Sequence, residues 1–212
     1  MISITLSSEI SEACPDLHVL AIACQVKNTE PDERLWEVEE DIRSTCKIED
    51  INKWTPIFAT RQAYKCLGKD PNRYRPSAEA LRRRILRGLP LYKIDTLVDI
   101  VNLVSIRSGY SIGGFDADKI VGGLELGVGK EGEIYHGIGR GELNIAGLPV
   151  YRDGVAGVGT PTSDEERTKI EMSTTSLLMI LNGYSGKEGL LEAGGYSVDL
   201  LKRYVSAVNV EA

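Results

Sequence analysis

The segment from Asp95 to Ser108 is the strongest constraint that this sequence places on a fold. Its apolar residues occur on nearly every side of a helical projection, so the helix that they predict must be buried. Asp95 is a suitable N-cap residue. Asn102 is then a polar group inside a buried helix, and it must either hydrogen-bond neighbouring backbone, the more common arrangement, or face a ligand. We expect the core to contain Leu97, Val101, Val104, Val155 and Ile170.

The second half of the chain is rich in glycine and in short apolar segments, which is typical of short strands joined by tight turns. Within it, Tyr151–Thr175 predicts a strand, a glycine loop and a returning strand over Lys169–Thr175 that carries Glu171. Gly157 and Gly159 would let the loop backbone approach a ligand closely. These features indicate a pocket wall. The alternative is an ordinary glycine turn with Glu171 facing water.

The first half of the chain predicts strands and helices ahead of the buried helix. The two strands, which we expect to lie in the core, are Ile2–Leu6 and Leu17–Val26. The three helices are Thr29 to about Lys47, Pro56–Leu67 and Ser77–Arg87. In the first helix, Leu35, Val38, Ile42 and Cys46 form the apolar stripe, and Trp36 lies on the other face. After Gly183 the chain becomes helical again, with a break at Gly194–Gly195.

These elements predict a single α+β domain over residues 1–212, with a helical N-terminal part and a glycine-rich β core. The composition, 42% hydrophobic and 26% charged residues, is that of an ordinary globular protein. No apolar run reaches the roughly 20 residues of a membrane span, and the N-terminus has no signal-peptide pattern. We therefore expect a cytoplasmic protein without membrane association.

The sequence predicts neither a metal nor a cofactor. Its two histidines and four cysteines match no metal or redox spacing, so we expect reduced, buried thiols. It also has no nucleophile elbow, no P-loop and no dinucleotide fingerprint that links a strand to a helix.

The charge of the chain is unevenly distributed. Arg61–Lys93 contains ten basic and two acidic residues and carries +8, whereas the whole chain carries −6. A compact basic stretch in an acidic protein is a candidate binding surface for the phosphates of a nucleic acid. The alternative is a solvated helix face that acidic neighbours balance elsewhere in the fold.

A series of motifs follows in order between about Ser77 and Thr175. They are Val98–Leu103 in the buried helix, Gly109–Asp116, Gly122-Gly123, Gly132-Glu133, Asp153–Gly159 and Thr168–Glu171. In this order they resemble the tRNA-binding and editing domain of the β subunit of bacterial phenylalanyl-tRNA synthetase. Since no synthetase catalytic core fits into 212 residues, we expect the domain to be freestanding.

The resemblance implies an α+β fold and hydrolysis of the ester in tRNA that carries tyrosine in place of phenylalanine. It assigns Glu171 to a polar group of the substrate, and it places Asn102, Arg83 and Arg84 at the site. Two positions depart from the family pattern. Gly113 replaces a histidine, and the Gly159-Thr160-Pro161 sequence replaces Met-Gly-Gly, which puts a threonine hydroxyl in the expected pocket.

Two functions of different classes follow. The first is a freestanding editing hydrolase that deacylates mischarged aminoacyl-tRNA, with catalytic roles for Thr160 and for the backbone N–H groups at Gly157 and Gly159. The second is a non-catalytic RNA- or small-molecule-binding module on the same fold, which the missing histidine favours. We expect Glu171, Asn102, Thr160 and the Gly157–Gly159 backbone to line one cavity. We expect tRNA, and not DNA, to bind through Arg73, Arg75, Arg83, Arg84 and Arg87.

Overall fold

The computed structural model describes residues 2–37, 42 and 45–212. Its helices in this part of the chain are α1 (Ser8–Ala13), α2 (Thr55–Cys66), α3 (Ser77–Leu86), α4 (Thr96–Ser108) and α5 (Leu190–Val205). Its strands are β1 (Ile4–Leu6), β2 (His18–Gln25), β3 (Ser111–Asp116), β4 (Leu124–Val128), β5 (His136–Gly137), β6 (Gly141–Glu142), β7 (Pro149–Arg152), β8 (Gly157–Gly159), β9 (Ser176–Gly183) and β10 (Val208–Glu211). The predicted α+β class is therefore confirmed.

The strands form two four-stranded sheets and one small hairpin. One sheet has the order β1-β4-β7-β8, in which β1 is parallel to β4 and the other pairs are antiparallel. The other sheet has the order β10-β2-β9-β3 and is antiparallel throughout. Strands β5 and β6 form the hairpin. The two predicted N-terminal strands are present as β1 and β2, and they belong to different sheets.

Strand β9 joins the two halves of the core. Alternate side chains of a strand point to opposite faces, and those of β9 are apolar on both. Leu177, Met179 and Leu181 pack in the cluster that contains α4 and α5. Leu178 and Ile180 pack in the cluster that contains the β1-β4-β7-β8 sheet. The β10-β2-β9-β3 sheet therefore lies between a helical layer and the second sheet.

Helix α4 has the boundaries and the burial that its sequence predicts. The Asp95 carboxylate accepts a hydrogen bond from the backbone N–H of Val98 at 2.9 Å, and Gly109 ends the helix with φ of 79°. Of the predicted core residues, the buried ones are Leu97, Val101, Val104 and Ile170. Val155 is 62% exposed, because it lies at the tip of a turn whose N–H groups bind the Asp153 carboxylate.

Three local predictions in the terminal regions need correction. The segment after Thr29 begins with a 3-10 turn at Glu33–Glu37, and the rest of that predicted helix, including Val38, lies largely outside the described residues. Trp36, which we predicted on the face opposite the apolar stripe, is buried, and its indole N–H donates to Asp99 on α4. Helix α5 continues through Gly194, where the absence of a side chain allows close contact with Leu20 on β2.

The four cysteines are free thiols, and two of them are buried. Cys14 and Cys24 are buried, and this burial raises the pKa of both thiols to about 11. Cys46 is half-buried and Cys66 is exposed. The prediction of buried thiols is therefore wrong for Cys66.

A buried ionic cluster ties α2 to α3. The Glu79 carboxylate on α3 is fully buried and accepts hydrogen bonds at 2.7 Å from Arg61 on α2 and from Arg83 one helical turn away. Arg61 also donates to the backbone carbonyl of Pro71 and to the side chain of Asn72. Glu79 therefore neutralises and orients part of the basic segment.

Replacing Glu79 with glutamine should destabilise the protein, since it leaves the Arg61 guanidinium buried without a counter-charge. We expect a loss of about 3–5 kcal/mol in the free energy of unfolding, measured by urea denaturation. Arg75→Ala is the control: its side chain is 44% exposed and its Nε atom is 3.9 Å from the Glu79 carboxylate, so the loss should stay within about 1 kcal/mol. Equal effects of the two substitutions would contradict this assignment.

Candidate functional site

A cavity of about 380 Å³ lies between α3, α4, β3 and the segment from Thr160 to Ile170. Its apolar wall consists of Leu81, Ile94, Val98, Val101, Ile112, Ile138 and Ile170. Its polar side chains are Ser77, Asn102, Ser105, Thr160, Ser163, Asp164 and Lys169. Within the described part of the chain, Asp164 and Lys169 are its only charged lining residues. The cavity therefore combines an apolar interior with one carboxylate and one ammonium group.

Asp164 is a functional candidate that the sequence analysis missed. It forms an isolated bridge with Gly159, and its Oδ2 atom accepts a hydrogen bond from the backbone N–H of Gly114 at 3.1 Å. Burial raises the pKa of its carboxyl group to about 7. It has no ion pair with any residue that the structure describes, because the Lys169 ammonium binds Glu166 at 2.8 Å. Nothing in the local sequence distinguishes Asp164 from the charged residues that follow it.

The turn from Thr160 to Ser163 holds Asp164 in place. The Thr160 hydroxyl donates to the backbone carbonyl of Ser163 at 3.0 Å and accepts from the N–H groups of Thr162 and Ser163. The Tyr135 hydroxyl donates to the same Ser163 carbonyl at 2.7 Å. Thr160 thus lies on the cavity wall, but its hydroxyl hydrogen is already used within the turn.

Gly157 and Gly159 are close to aromatic rings and do not line the cavity. A Cβ atom at Gly157 would lie 2.9 Å from the Tyr135 ring, and one at Gly159 would lie 2.5 Å from the Phe115 ring. Both residues belong to β8, which pairs with β7. The close approach that the glycines permit is therefore to the protein's own core, contrary to the expectation that their backbone faces the cavity.

Position 113 has no room for the histidine of the family pattern. A Cβ atom at Gly113 would lie 2.6 Å from the Phe115 ring and 3.4 Å from Oδ1 of Asp164. The carboxylate of Asp164 therefore lies beside position 113, which the resemblance in the sequence matches to a histidine.

Glu171 lies outside the cavity, contrary to the sequence prediction. The segment that carries it does not form a strand: Lys169 makes one bridge to Phe115, and hydrogen bonds between Glu171 and Thr174 close a turn. The Glu171 side chain is 47% exposed and binds the Lys119 ammonium at 2.8 Å, and this hydrogen bond lowers the pKa of its carboxyl group. A turn in place of the predicted strand thus points this carboxylate into solvent.

Asn102 lies where the cavity meets a second depression, and it is half-buried. Its amide makes no hydrogen bond to any residue that the structure describes. Of the two roles that the sequence left open, this arrangement favours contact with a ligand.

The second depression is an arginine groove of about 690 Å³ beside the cavity. We call it the arginine groove because it is lined by Arg75, Arg83, Arg84, Arg87 and Arg140. The residues that it shares with the cavity are Leu81, Ile94, Asn102, Ile138 and Ser163. The groove therefore leads directly into the cavity.

The structure divides the basic segment into two groups. Arg61, Lys69 and Arg82 are turned inward, where Lys69 donates to the carbonyls of Asn144 and Ala146 and Arg82 donates to that of Ile106. Four of the five predicted arginines line the groove, namely Arg75, Arg83, Arg84 and Arg87. Arg73 lies outside it, against the Tyr74 ring. Arg140 was missed, because it comes from the β5-β6 hairpin, far away in the sequence.

Comparison with known families places this geometry in context. Residues 59–189 match the B3/4 domain. Since the match spans more than half of the chain, the chain belongs to the B3/4 domain family. The predicted homology to a domain of the phenylalanyl-tRNA synthetase β subunit is thereby confirmed.

A solved structure that is similar to this chain is an N-terminal fragment of the phenylalanyl-tRNA synthetase β subunit from Pyrococcus horikoshii. The sequence identity is 14% and the TM-score is 0.48. The similarity covers 94% of this chain and 48% of that fragment, so this chain spans about half of the fragment's length. No curated protein matches the chain.

The described residues contain neither a membrane-spanning helix nor a metal-binding cluster. None of the helices there has the length and apolar character needed to cross a membrane. No group of three or more His, Cys, Asp or Glu side chains there could hold a metal ion.

The raised pKa of Asp164 predicts how its replacement changes stability with pH. An unfolded aspartate loses its proton near pH 3.9, whereas folded Asp164 keeps it to about pH 7. The folded state therefore loses stability relative to the unfolded state as the pH rises from about 4 to 7. Asp164→Asn removes this penalty. The melting temperature of the variant minus that of wild type should therefore increase by several degrees between pH 4.5 and pH 8.

Asp153→Asn is the control of opposite sign. Burial acts against ionisation of Asp153, but hydrogen bonds from Val121, Arg167, Ala156 and Val155 together lower the pKa of its carboxyl group to about 2. Its stabilising contribution is therefore complete above about pH 4 and is lost as the pH falls toward 2. At pH 8 this variant should melt below wild type. A pH-independent difference for Asp164→Asn would contradict the assignment of a raised pKa.

Proposed function

We propose that this protein is an aminoacyl-tRNA deacylase, in which the arginine groove binds the 3′ end of tRNA and the cavity receives the aminoacyl group. The observation that carries the proposal is the continuity of the groove and the cavity through Asn102 and Ser163. A basic channel that ends in an apolar chamber suits a ligand with a phosphate backbone and a small terminal group. Because aminoacyl-tRNA is used in translation, the proposed location is the cytoplasm.

The groove has the chemistry that single-stranded RNA requires. Its arginines supply positive charge for phosphates. Its rim also presents exposed apolar side chains, among them Tyr92, which is 68% exposed and stacks on the Arg84 guanidinium at 4.2 Å from the ring centroid. Bases of single strands stack on such aromatic and guanidinium planes. We therefore assign the unpaired nucleotides at the 3′ end of tRNA to this surface.

The cavity volume lies within the range of about 300–1,000 Å³ that is usual for small-molecule sites. In the proposed reaction a water molecule adds to the ester carbonyl, the bond from the carbonyl carbon to the ribose oxygen breaks, and a proton passes to that oxygen. An aminoacyl ester is already reactive, so the site has mainly to orient the water and the ester. In this proposal Thr160, Gly157 and Gly159 act by positioning Ser163 and Asp164 at the cavity wall.

A non-catalytic binding module remains the second candidate. Two observations favour it: position 113 has no room for the histidine that the resemblance implies, and the Thr160 hydroxyl is used inside its own turn. The groove and the cavity would then bind an RNA end or a small molecule without cleaving it.

A panel of mischarged tRNAs distinguishes the two candidates. We expect the protein to release one or more apolar amino acids from tRNA faster than the spontaneous rate. Val98→Trp, which fills the cavity from α4, should abolish this hydrolysis while tRNA affinity changes little. The same substitution at Val155, at an exposed turn, is the matched control and should leave hydrolysis unchanged. Tight tRNA binding without hydrolysis of any ester would establish the binding module instead.

Charge reversal in the groove tests the tRNA-binding surface. The double variant Arg87→Glu/Arg140→Glu changes two exposed arginines that line the groove. Each lost phosphate contact should reduce the log–log salt slope of tRNA binding by about 0.7–0.9, so we expect a total reduction of about one to two units. Arg83 is unsuitable for this test, since its reversal would also disturb buried Glu79.

Lys65→Glu/Lys202→Glu provides the matched control for charge. These two lysines are exposed, and they line neither the groove nor the cavity. The control changes the net charge by the same amount, so it should retain most of the wild-type salt slope. Equal losses in the two double variants would show that binding depends on net charge and not on the groove.

A further inference from the structure

One carboxylate in the cavity, that of Asp164, has fewer hydrogen-bond donors among the described residues than it can accept. One carboxylate oxygen of Asp164 accepts the Gly114 N–H, whereas the structure shows no protein donor for the other among the described residues. Lys169, the cation that also lines the cavity, is bound to Glu166. In a largely apolar site, ionisation of a carboxyl group costs free energy unless a cation binds beside it. The cavity therefore offers a fixed acceptor for a cation or a hydrogen-bond donor supplied by the ligand.

The position of this acceptor is well defined. The Gly114 hydrogen bond fixes one oxygen, and the Thr160–Ser163 turn fixes the backbone immediately before Asp164. Gly159 leaves space for the second oxygen, since a Cβ atom there would lie 2.9 Å from it. The surrounding walls from α3, α4 and β3 are mainly apolar. A ligand that fits this site has an apolar group close to a cation or a hydrogen-bond donor.

We propose that Asp164 binds the α-amino group of the aminoacyl ester, so that the site selects tRNA carrying an unmodified, apolar L-amino acid. This inference rests on the proposed function of the same cavity. The side chain of the amino acid lies against the apolar wall, the α-amino group meets the free oxygen of Asp164, and the ester carbonyl points toward the groove. Asp164 is in this assignment a specificity-determining residue.

The α-amino group of the ester and the carboxyl group of Asp164 have similar pKa values. An α-amino group has a pKa of about 7.7–8.0 in peptides, close to the value of about 7 for buried Asp164. Near neutral pH the pair forms with one shared proton between the oxygen and the nitrogen. An N-acylated amino group has no charge and adds bulk, and an α-hydroxyl group cannot carry the positive charge. Both analogues should therefore bind less tightly.

The test uses non-hydrolysable adenosine analogues of the tRNA end. The probes are 3′-amino-3′-deoxyadenosine acylated with L-leucine or L-phenylalanine, together with the α-hydroxy and N-acetyl versions of each. Calorimetry with wild type should show at least about tenfold tighter binding of the amino form than of its α-hydroxy isostere, since hydrogen bonds to charged groups have this strength. Asp164→Asn should reduce this ratio to near one.

Hydrolysis kinetics separate this role from general-base catalysis. Phenylalanyl-tRNA and phenyllactyl-tRNA differ only in the amino or hydroxyl group at the α carbon. If Asp164 reads the amino group, Asp164→Asn lowers kcat/KM for the phenylalanyl ester by at least about tenfold more than for the phenyllactyl ester. An equal loss for both esters, with an unchanged ratio in the binding experiment, makes Asp164 a base and overturns the proposal.

The outcomes for the two proposals are distinguishable. If the probes bind with the expected preference but no ester is hydrolysed, the deacylase proposal fails and the amino-group site stands. If esters are hydrolysed but wild type binds amino and α-hydroxy probes equally, the Asp164 assignment fails alone. If no probe binds and no ester is hydrolysed, both proposals fail.

Discussion

The burial of α4 is the constraint on which the rest of the structure depends. A helix that is apolar on nearly all sides has to be covered on every face, and here α3, α5, β3 and the Glu33–Glu37 turn all pack against it. The same burial brings Val98, Val101 and Asn102 to the wall of the cavity. The helix is therefore both the centre of the core and one side of the candidate site. The amide of Asn102, which has no hydrogen-bond partner among the described residues, lies where the cavity meets the arginine groove.

Burial also decides which charges are available for binding. A guanidinium in the core needs a counter-charge or several carbonyl acceptors, and Arg61 and Arg82 have these partners. Their neighbours on the outer face of α3 remain available to a ligand. The net charge of the chain does not show which arginines are buried and which line the groove. A protein with a charge of −6 presents a groove with five arginines because no acidic residue of the described chain lines this groove, although Arg83 also pairs with buried Glu79.

The glycine-rich half of the molecule serves the site indirectly. Gly157 and Gly159 are required by the rings of Tyr135 and Phe115, and this close packing sets the position of the segment that follows. That segment carries the Thr160–Ser163 turn and then Asp164. The carboxylate of Asp164 lies beside Gly113 and Gly159 in this packing.

The sequence by itself determined the α+β class, the buried helix and its cap, most of the core around it, and four of the arginines in the groove. These features follow from local periodicity, capping and charge clustering, which act between residues near in sequence. Only the tertiary structure decided the positions of Asp164, Glu171 and Arg140. Each depends on contacts between distant segments: a bridge that turns Asp164 inward, a turn that exposes Glu171, and a hairpin that brings Arg140 to α3. A carboxylate has the same local sequence signature in water and in a cavity, so its environment is set by the packing of the whole chain.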